Sequence, residues 1–192
     1  GHTDRVTKIA VSIAKSIAQE KDLDEEDLFT IEIGALLHDV GKIGVPDAIL
    51  LKPGPLEAEE TREIREHPAV GKHILGNIAY LKEALSCVLH HHERFDGQGY
   101  PEKIAGEAIP LHGRIISVAD AFDAMTHDRP YRKKMDHRSA LLEIENNAGK
   151  QFDPQIVEAF GQLLNSGVIA QVLASLENNN NGPKTGSAAG IG

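Results

Sequence analysis

The spacing of the apolar residues constrains this chain more than any other feature. Val6, Ile9, Ala10, Ile13 and Ile17 recur every three or four positions, the period that lines one face of an α-helix. The same spacing returns in Leu28, Ile31 and Ala35, and again in Ile115, Val118, Phe122 and Met125. No run shows the strict alternation of a half-buried strand. Helices with one apolar face bury it by packing on one another, so the expected fold is all-α, a helical bundle.

Local signals divide the bundle. A first helix is expected over 3–20. Asp24, followed by Glu25, Glu26 and Asp27, reads as an N-cap with acids in the first turn. The helix it opens carries Leu28, Ile31, Ala35 and His38 on one face and ends at Gly41. Pro53-Gly54-Pro55 marks a turn, and an acidic helix then closes at His67-Pro68, because a residue before proline disfavours helical backbone. Helices are expected over 69–77, 81–93, 111–127 and 137–147, the last capped by Asp136. Asp153-Pro154 opens the final one. Phe95 to Pro101 holds too many breakers for regular structure. From Asn178 the composition becomes Asn-, Gly- and Ser-rich, a disordered tail over 178–192 behind a domain spanning 1–177. The first helix has no room for a leading cap, which suggests a piece of a longer protein whose upstream domain is missing.

At 192 residues the chain has the length of one domain. Lys and Arg number 20 against 29 Asp and Glu, a formal charge of −9. That balance argues against a binder of nucleic acid polymers, which works by neutralising phosphates. An anionic ligand would need local cations or metal. No stretch reaches membrane-span length, and no contact with a membrane is expected. Cys87 is the only cysteine, which excludes an intramolecular disulfide and thiolate-built metal clusters and suits a reducing cytosol.

Ten histidines remain to be explained, seven of them at His2, His38, His67, His73 and His90 to His92. His38-Asp39 ends a buried helix. Imidazole with carboxylate is a ligand set for Fe, Mn, Zn or Ni, although alone the pair also reads as a core histidine beside a cap. His91 and His92 continue the apolar stripe of Leu85, Val88 and Leu89, where unpaired polar groups are unfavourable unless something such as a metal satisfies them. His90 falls on the polar side of that helix. Proline after His67 breaks a helix where the ring can be aimed inward. Asp120 and Asp123 share one edge of the 111–127 helix and compete for the same role. His73, His112, His127 and His137 read as surface residues, and Cys87 as a small buried hydrophobe.

His38-Asp39-x-Gly41-Lys42 and His91-His92-Glu93-x-x-Asp96-Gly97-x-Gly99-Tyr100-Pro101 resemble the signatures of HD-GYP domains, a branch of the HD metal-dependent phosphohydrolases. His67-Pro68 with Gly71, Arg114-Ile115-Ile116 leading to Asp120, Asp128-Arg129-Pro130-Tyr131-Arg132 and Phe152-Asp153-Pro154 extend the similarity over about 2–165. The resemblance implies an HD-type helical bundle with a metal cluster between helices. It implies hydrolysis of cyclic di-GMP to pGpG, in some members onward to GMP, by a metal-bridging hydroxide. Position by position, it makes His38, Asp39, His67, His91, His92 and Asp120 metal ligands, with Asp39 bridging. His2 matches a further ligand whose glutamate partner would precede Gly1, so two or three ions are expected, Fe or Mn before Zn or Ni.

On the same basis His38, Asp39 and Lys42 are the catalytic set. Lys42, Gly99, Tyr100, Arg129 and Arg132 are expected to bind substrate. Lys42 is expected to offset charge developing at phosphorus, and the two arginines to grip the phosphate that does not react. The resemblance also implies a bacterial cytoplasmic signalling protein, a homodimer or a diguanylate cyclase docked on the GYP loop as partners, and a sensor or receiver module upstream. Two other readings fit the residues: a catalytically weak domain that senses cyclic dinucleotides or docks a partner, and an HD phosphohydrolase of other nucleotides.

Overall fold

The computed structural model describes residues 1–127 and 134–180. Among them are ten α-helices and no strand: α1 (His2–Lys21), α2 (Glu25–Leu37), α3 (Asp47–Leu50), α4 (Ala58–Ile64), α5 (His67–Leu75), α6 (Leu85–His90), α7 (Leu111–Thr126), α8 (His137–Asn146), α9 (Pro154–Asn165) and α10 (Val168–Asn180). No single helix there is long and apolar enough to cross a membrane.

The α1 stripe is wholly engaged. Val6, Ile9, Ala10, Ile13 and Ala14 are fully buried, and α1 packs against α2, α7, α9 and α10. From α7, Ile115, Ile116, Val118, Ala119 and Phe122 complete this main core, with Phe160 of α9 edge-on to Phe122 at 4.9 Å between ring centroids. A second, smaller core gathers Leu75, Leu81 and Val88 beneath Ile33 and Leu37 of α2. The candidate chemistry sits where the two cores meet.

The caps follow the sequence signals. Asp24 accepts from the backbone N–H groups of Glu26 and Asp27, Asp136 from Ser139, and Asp153 from Gln155. Three boundaries differ from expectation. His67-Pro68 opens α5 instead of closing α4, because proline in a first helical turn gives up an N–H that has no intrahelical partner anyway. The expected helix 81–93 shortens to Leu85–His90, so His91 and His92 lie just beyond a helix end. The final helix is two: α9 stops at Asn165, the chain turns through Gly167, and α10 continues through Asn178–Asn180, past the start of the tail expected from composition. The rest of that tail, from 181, lies outside the described residues.

One close approach positions the site. After α2 the chain makes a 3₁₀ turn, Val40–Gly44, that crosses the start of α5. A Cβ on Gly41 would lie 1.8 Å from the His67 carbonyl oxygen, so only glycine lets this turn press down and carry Asp39 toward His67.

Candidate metal centre

Three histidines reach the site by the same local device. The last carbonyls of a helix have no intrahelical donor. His38 Nδ1 lies 2.6 Å from the Ala35 carbonyl at the end of α2, His67 Nδ1 2.6 Å from Ile64 at the end of α4, and His91 Nδ1 2.9 Å from Val88 at the end of α6. A carbonyl only accepts, so each Nδ1 carries the proton and donates it. Each Nε2 therefore keeps a lone pair, which points inward.

Those lone pairs meet Asp39. Its Oδ1 is 3.4 Å from His67 Nε2 and 4.0 Å from His91 Nε2. Its Oδ2 is 3.5 Å from His38 Nε2, 3.9 Å from His2 Nε2 and 2.5 Å from Lys42 Nζ. His67 and His91 face each other Nε2 to Nε2 at 3.3 Å, two acceptors with no proton between them. His38 Nε2 is buried without a partner. His92 packs on His91 and His67, with ring centroids 4.1 and 5.0 Å away. Two ligand sets emerge, Asp39-His67-His91-His92 and His2-His38-Asp39, with donor atoms inside each set within 4.8 Å of one another. They share Asp39, whose two oxygens face different sets.

Burial pushes the Asp39 carboxyl up, but His38, Lys42 and His67 more than offset it and hold it at about 2. Burial depresses His67 and takes His91 well below the usual imidazole range; burial, with His67 beside it, brings His92 to about 3. At neutral pH the cluster thus offers an anionic Asp39 and neutral imidazoles at His67, His91 and His92. A buried polar atom without a partner is unfavourable by about 1–3 kcal/mol. Converging imidazole lone pairs with no donor between them fit a divalent cation, and the set of N and O ligands accepts Fe, Mn, Zn or Ni.

His2 is held differently. Its Nδ1 donates to Asp123 Oδ2 at 2.7 Å, which turns Nε2 toward Asp39 and toward Asp120 Oδ1 at 3.5 Å. Asp123 is buried, and Arg5 locks it in place through Nε at 2.6 Å and Nη2 at 3.0 Å. Thus α7 divides two acids that sequence left in competition. Asp120 lies beside His2 Nε2 but belongs to neither ligand set, and Asp123 orients that histidine. Sequence points to no role for Arg5 and offers Asp123 only as a competitor of Asp120, although His2/Arg5 on α1 and Asp120/Asp123 on α7 form facing pairs at i, i+3 spacing.

The Gly-Tyr-Pro loop folds back over the histidines. Tyr100 N–H donates to the His92 carbonyl at 3.2 Å, and its ring stacks on His92 with centroids 4.9 Å apart. A Cβ on Gly99 would lie 2.3 Å from Arg94 N, too close for any other residue. Glu93, buried directly after the histidines, accepts from Glu102 N–H at 2.7 Å and Lys103 N–H at 3.0 Å. It is a loop anchor that sequence reasoning quoted in a motif but did not explain. Lys42 is half-exposed at the mouth. Arg129 and Arg132 lie outside the described residues. His90 stays out of the cluster, donating to the Ser86 carbonyl while its other nitrogen pairs with Glu102. Of the expected surface histidines, His112 is partly buried 3.7 Å from Asp27, His127 reaches Asp123 at 3.1 Å, and His137 packs on Phe122.

Comparison with known proteins places this arrangement. The HD domain family model matches residues 1–156. A cyclic di-GMP phosphodiesterase of Thermotoga maritima is 43% identical over 164 residues, covering 84% of this chain and 44% of that protein. The cyclic di-GMP phosphodiesterase response regulator RpfG of Xanthomonas campestris is 42% identical over 149 residues, covering 77% and 39%. A 3'3'-cGAMP-specific phosphodiesterase of Vibrio cholerae is 39% identical over 165 residues, covering 86% and 35%. The chain thus spans less than half the length of these curated relatives. In fold, the crystal structure of a cyclic GMP-AMP-specific phosphodiesterase of Vibrio cholerae superposes with a TM-score of 0.68 over 88% of this chain and 45% of that one, at 22% identity. HD phosphohydrolases use divalent metals, and the histidine–aspartate cluster lies between helices as in a bundle of that kind. The chain belongs to the HD domain family, in its HD-GYP branch.

Proposed function

We propose that this domain is a metal-dependent phosphodiesterase that hydrolyses cyclic di-GMP to linear pGpG in the bacterial cytoplasm. One observation carries the reading. Buried imidazole Nε2 atoms, each left with a free lone pair because Nδ1 donates to a backbone carbonyl, converge on a carboxylate whose two oxygens face different ligand sets. The names of the relatives at 42–43% identity support the substrate.

In this reading His67, His91, His92 and Asp39 hold one ion, and His38, Asp39, Asp120 and His2 hold a second, with room for a third left open at the His2 side. Fe and Mn are the first candidates. When bound, such ions supply an activated water and neutralise the phosphoryl oxygens. The protein's own groups do the rest. Asp39, kept anionic, holds both sites in register. Lys42, now 2.5 Å from Asp39, places a compact positive charge where negative charge grows at phosphorus. The Gly99–Tyr100 segment walls the cleft, and Arg129 and Arg132 hold the phosphate that is not cleaved. The 3'3'-cGAMP-specific relative, at 39% identity, makes that ligand the natural competitor in a substrate panel.

The test combines metal analysis of anaerobically prepared protein with product analysis on cyclic di-GMP, 3'3'-cGAMP and cyclic di-AMP in Mn²⁺ or Fe²⁺. Retained metal and a pGpG product are expected. Protein that neither retains metal nor cleaves any of the three ends the proposal.

A further inference from the structure

Arg65 caps the C-terminus of α4, two positions before His67. Its side chain is exposed, yet its guanidinium carbon lies 5.2 Å from the centroid of the Tyr100 ring. Tyr100 is itself stacked on His92. Arg65, His91, His92, Gly99 and Tyr100 line one cleft. Among the described residues no carboxylate pairs with Arg65 or Arg138, whereas Arg5, Arg62, Arg94 and Arg114 each hold one.

An aromatic face attracts a guanidinium and orients it, but it satisfies none of the five N–H donors. The group at this mouth is therefore a steered cation with its hydrogen-bonding fork unused. That fork matches the oxygens of a phosphate better than any neutral ligand. In a chain of net charge −9, with Asp39 and Asp120 at the same centre, a cation left unpaired beside the metal ligands answers the charge of an incoming anion. The scissile phosphate already has the cluster and Lys42. Arg65 stands outside the ligand sets, with the Tyr100 ring as its seat.

We propose that Arg65 is a further substrate-binding residue, acting beside Arg129 and Arg132 on the phosphodiester of the cyclic dinucleotide that is not being cleaved. This rests on the phosphodiesterase reading above. It also gives Tyr100 a role other than stacking on guanine: its ring is engaged by His92 and Arg65, and it positions the guanidinium.

The test is steady-state kinetics of Arg65→Ala and Arg65→Lys in the full chain with Mn²⁺, on cyclic di-GMP, cyclic di-AMP and bis(p-nitrophenyl) phosphate, which has no second phosphate. For Arg65→Ala, KM for cyclic di-GMP should rise roughly 10- to 100-fold, as for loss of a charged hydrogen bond. The change in kcat should be smaller, about threefold or less. Arg65→Lys should recover part of the loss, and metal content and thermal midpoint should match wild type. On bis(p-nitrophenyl) phosphate the loss should shrink to about threefold or less.

An unchanged KM for cyclic di-GMP overturns the assignment. So does an equal loss on the small diester, which would mean Arg65 supports the metal centre itself. A loss confined to the guanine nucleotide also overturns it, since the contact would then be to a base. Wild-type protein inactive on every substrate strikes the phosphodiesterase reading, and this proposal with it, before any variant is compared.

Discussion

The two sides of Asp39 are built on different principles. On the Oδ1 side, His67 and His91 are almost wholly buried, 2% and 0% exposed at the side chain. Their rings are fixed by carbonyls three residues back, at the ends of α4 and α6. On the Oδ2 side, His38 is buried and held by a carbonyl in the same way, but His2 is 33% exposed and Asp120 20%. There the ring of His2 is fixed by a carboxylate from another helix, Asp123, which is itself fixed by Arg5. A backbone-held ring needs only its own helix end. A carboxylate-held ring needs α1 and α7 correctly packed. The buried side should therefore be the tighter and less exchangeable of the two, and the open side the one where affinity is tuned through a neighbouring carboxylate.

The largest test of that contrast removes what both sides share. Asp39→Ala should eliminate metal loading and hydrolysis while circular dichroism stays helical; turnover at the wild-type rate would dissolve the idea of a shared carboxylate. Next, His67→Ala and His2→Ala should separate the sides. Loss of His67 should remove the buried-side ion and nearly all turnover, whereas loss of His2 should lower metal content on the open side alone. Equal losses of metal and rate in the two variants would erase the distinction.

A smaller effect is expected for Asp123→Asn. It keeps the shape but weakens the hold on His2 Nδ1, so metal affinity on the open side should fall about 10- to 100-fold with the buried side unaffected. Titration with a chelator should read this as one shifted phase out of two, and excess metal should restore loading. A shift of both phases would show that Asp123 acts through the fold. The smallest effect concerns a residue on neither side. Burial pushes the Cys87 thiol up to about 12, so alkylation at pH 8 should be about a thousandfold or more slower than for a free thiol. Rapid labelling in the native protein would mean that the contact between α2 and α6 opens.

Much of this was legible in the residues. Helical period placed the α1 and α7 stripes, and the stripe of Leu85, Val88 and Leu89 carried His91 and His92 inward while leaving His90 out, as found. What failed was mostly local competition. Proline after His67 marked a break correctly, but whether the histidine closes one helix or opens the next depends on which helix has neighbours to pack on. Ser166-Gly167 interrupts an apolar pattern that resumes in α10, and the Asn-rich end of that helix read as tail. Asp120 and Asp123 show the limit most clearly. Three residues apart on one face, they are equivalent in sequence, and only the seating of α1 across α7 puts one beside His2 Nε2 and the other on His2 Nδ1.

The sequence by itself determined the class of fold and most of the groups that could meet a metal, because helical period and the unpaired carbonyls at helix ends act within a few residues. Which atoms face one another was decided by tertiary structure alone. His2, Asp39, His67, His91 and Asp120 lie tens of positions apart along the chain. No short-range rule sets the distance between their side chains; the packing of α1 on α7 and of the Gly41 turn on α5 does.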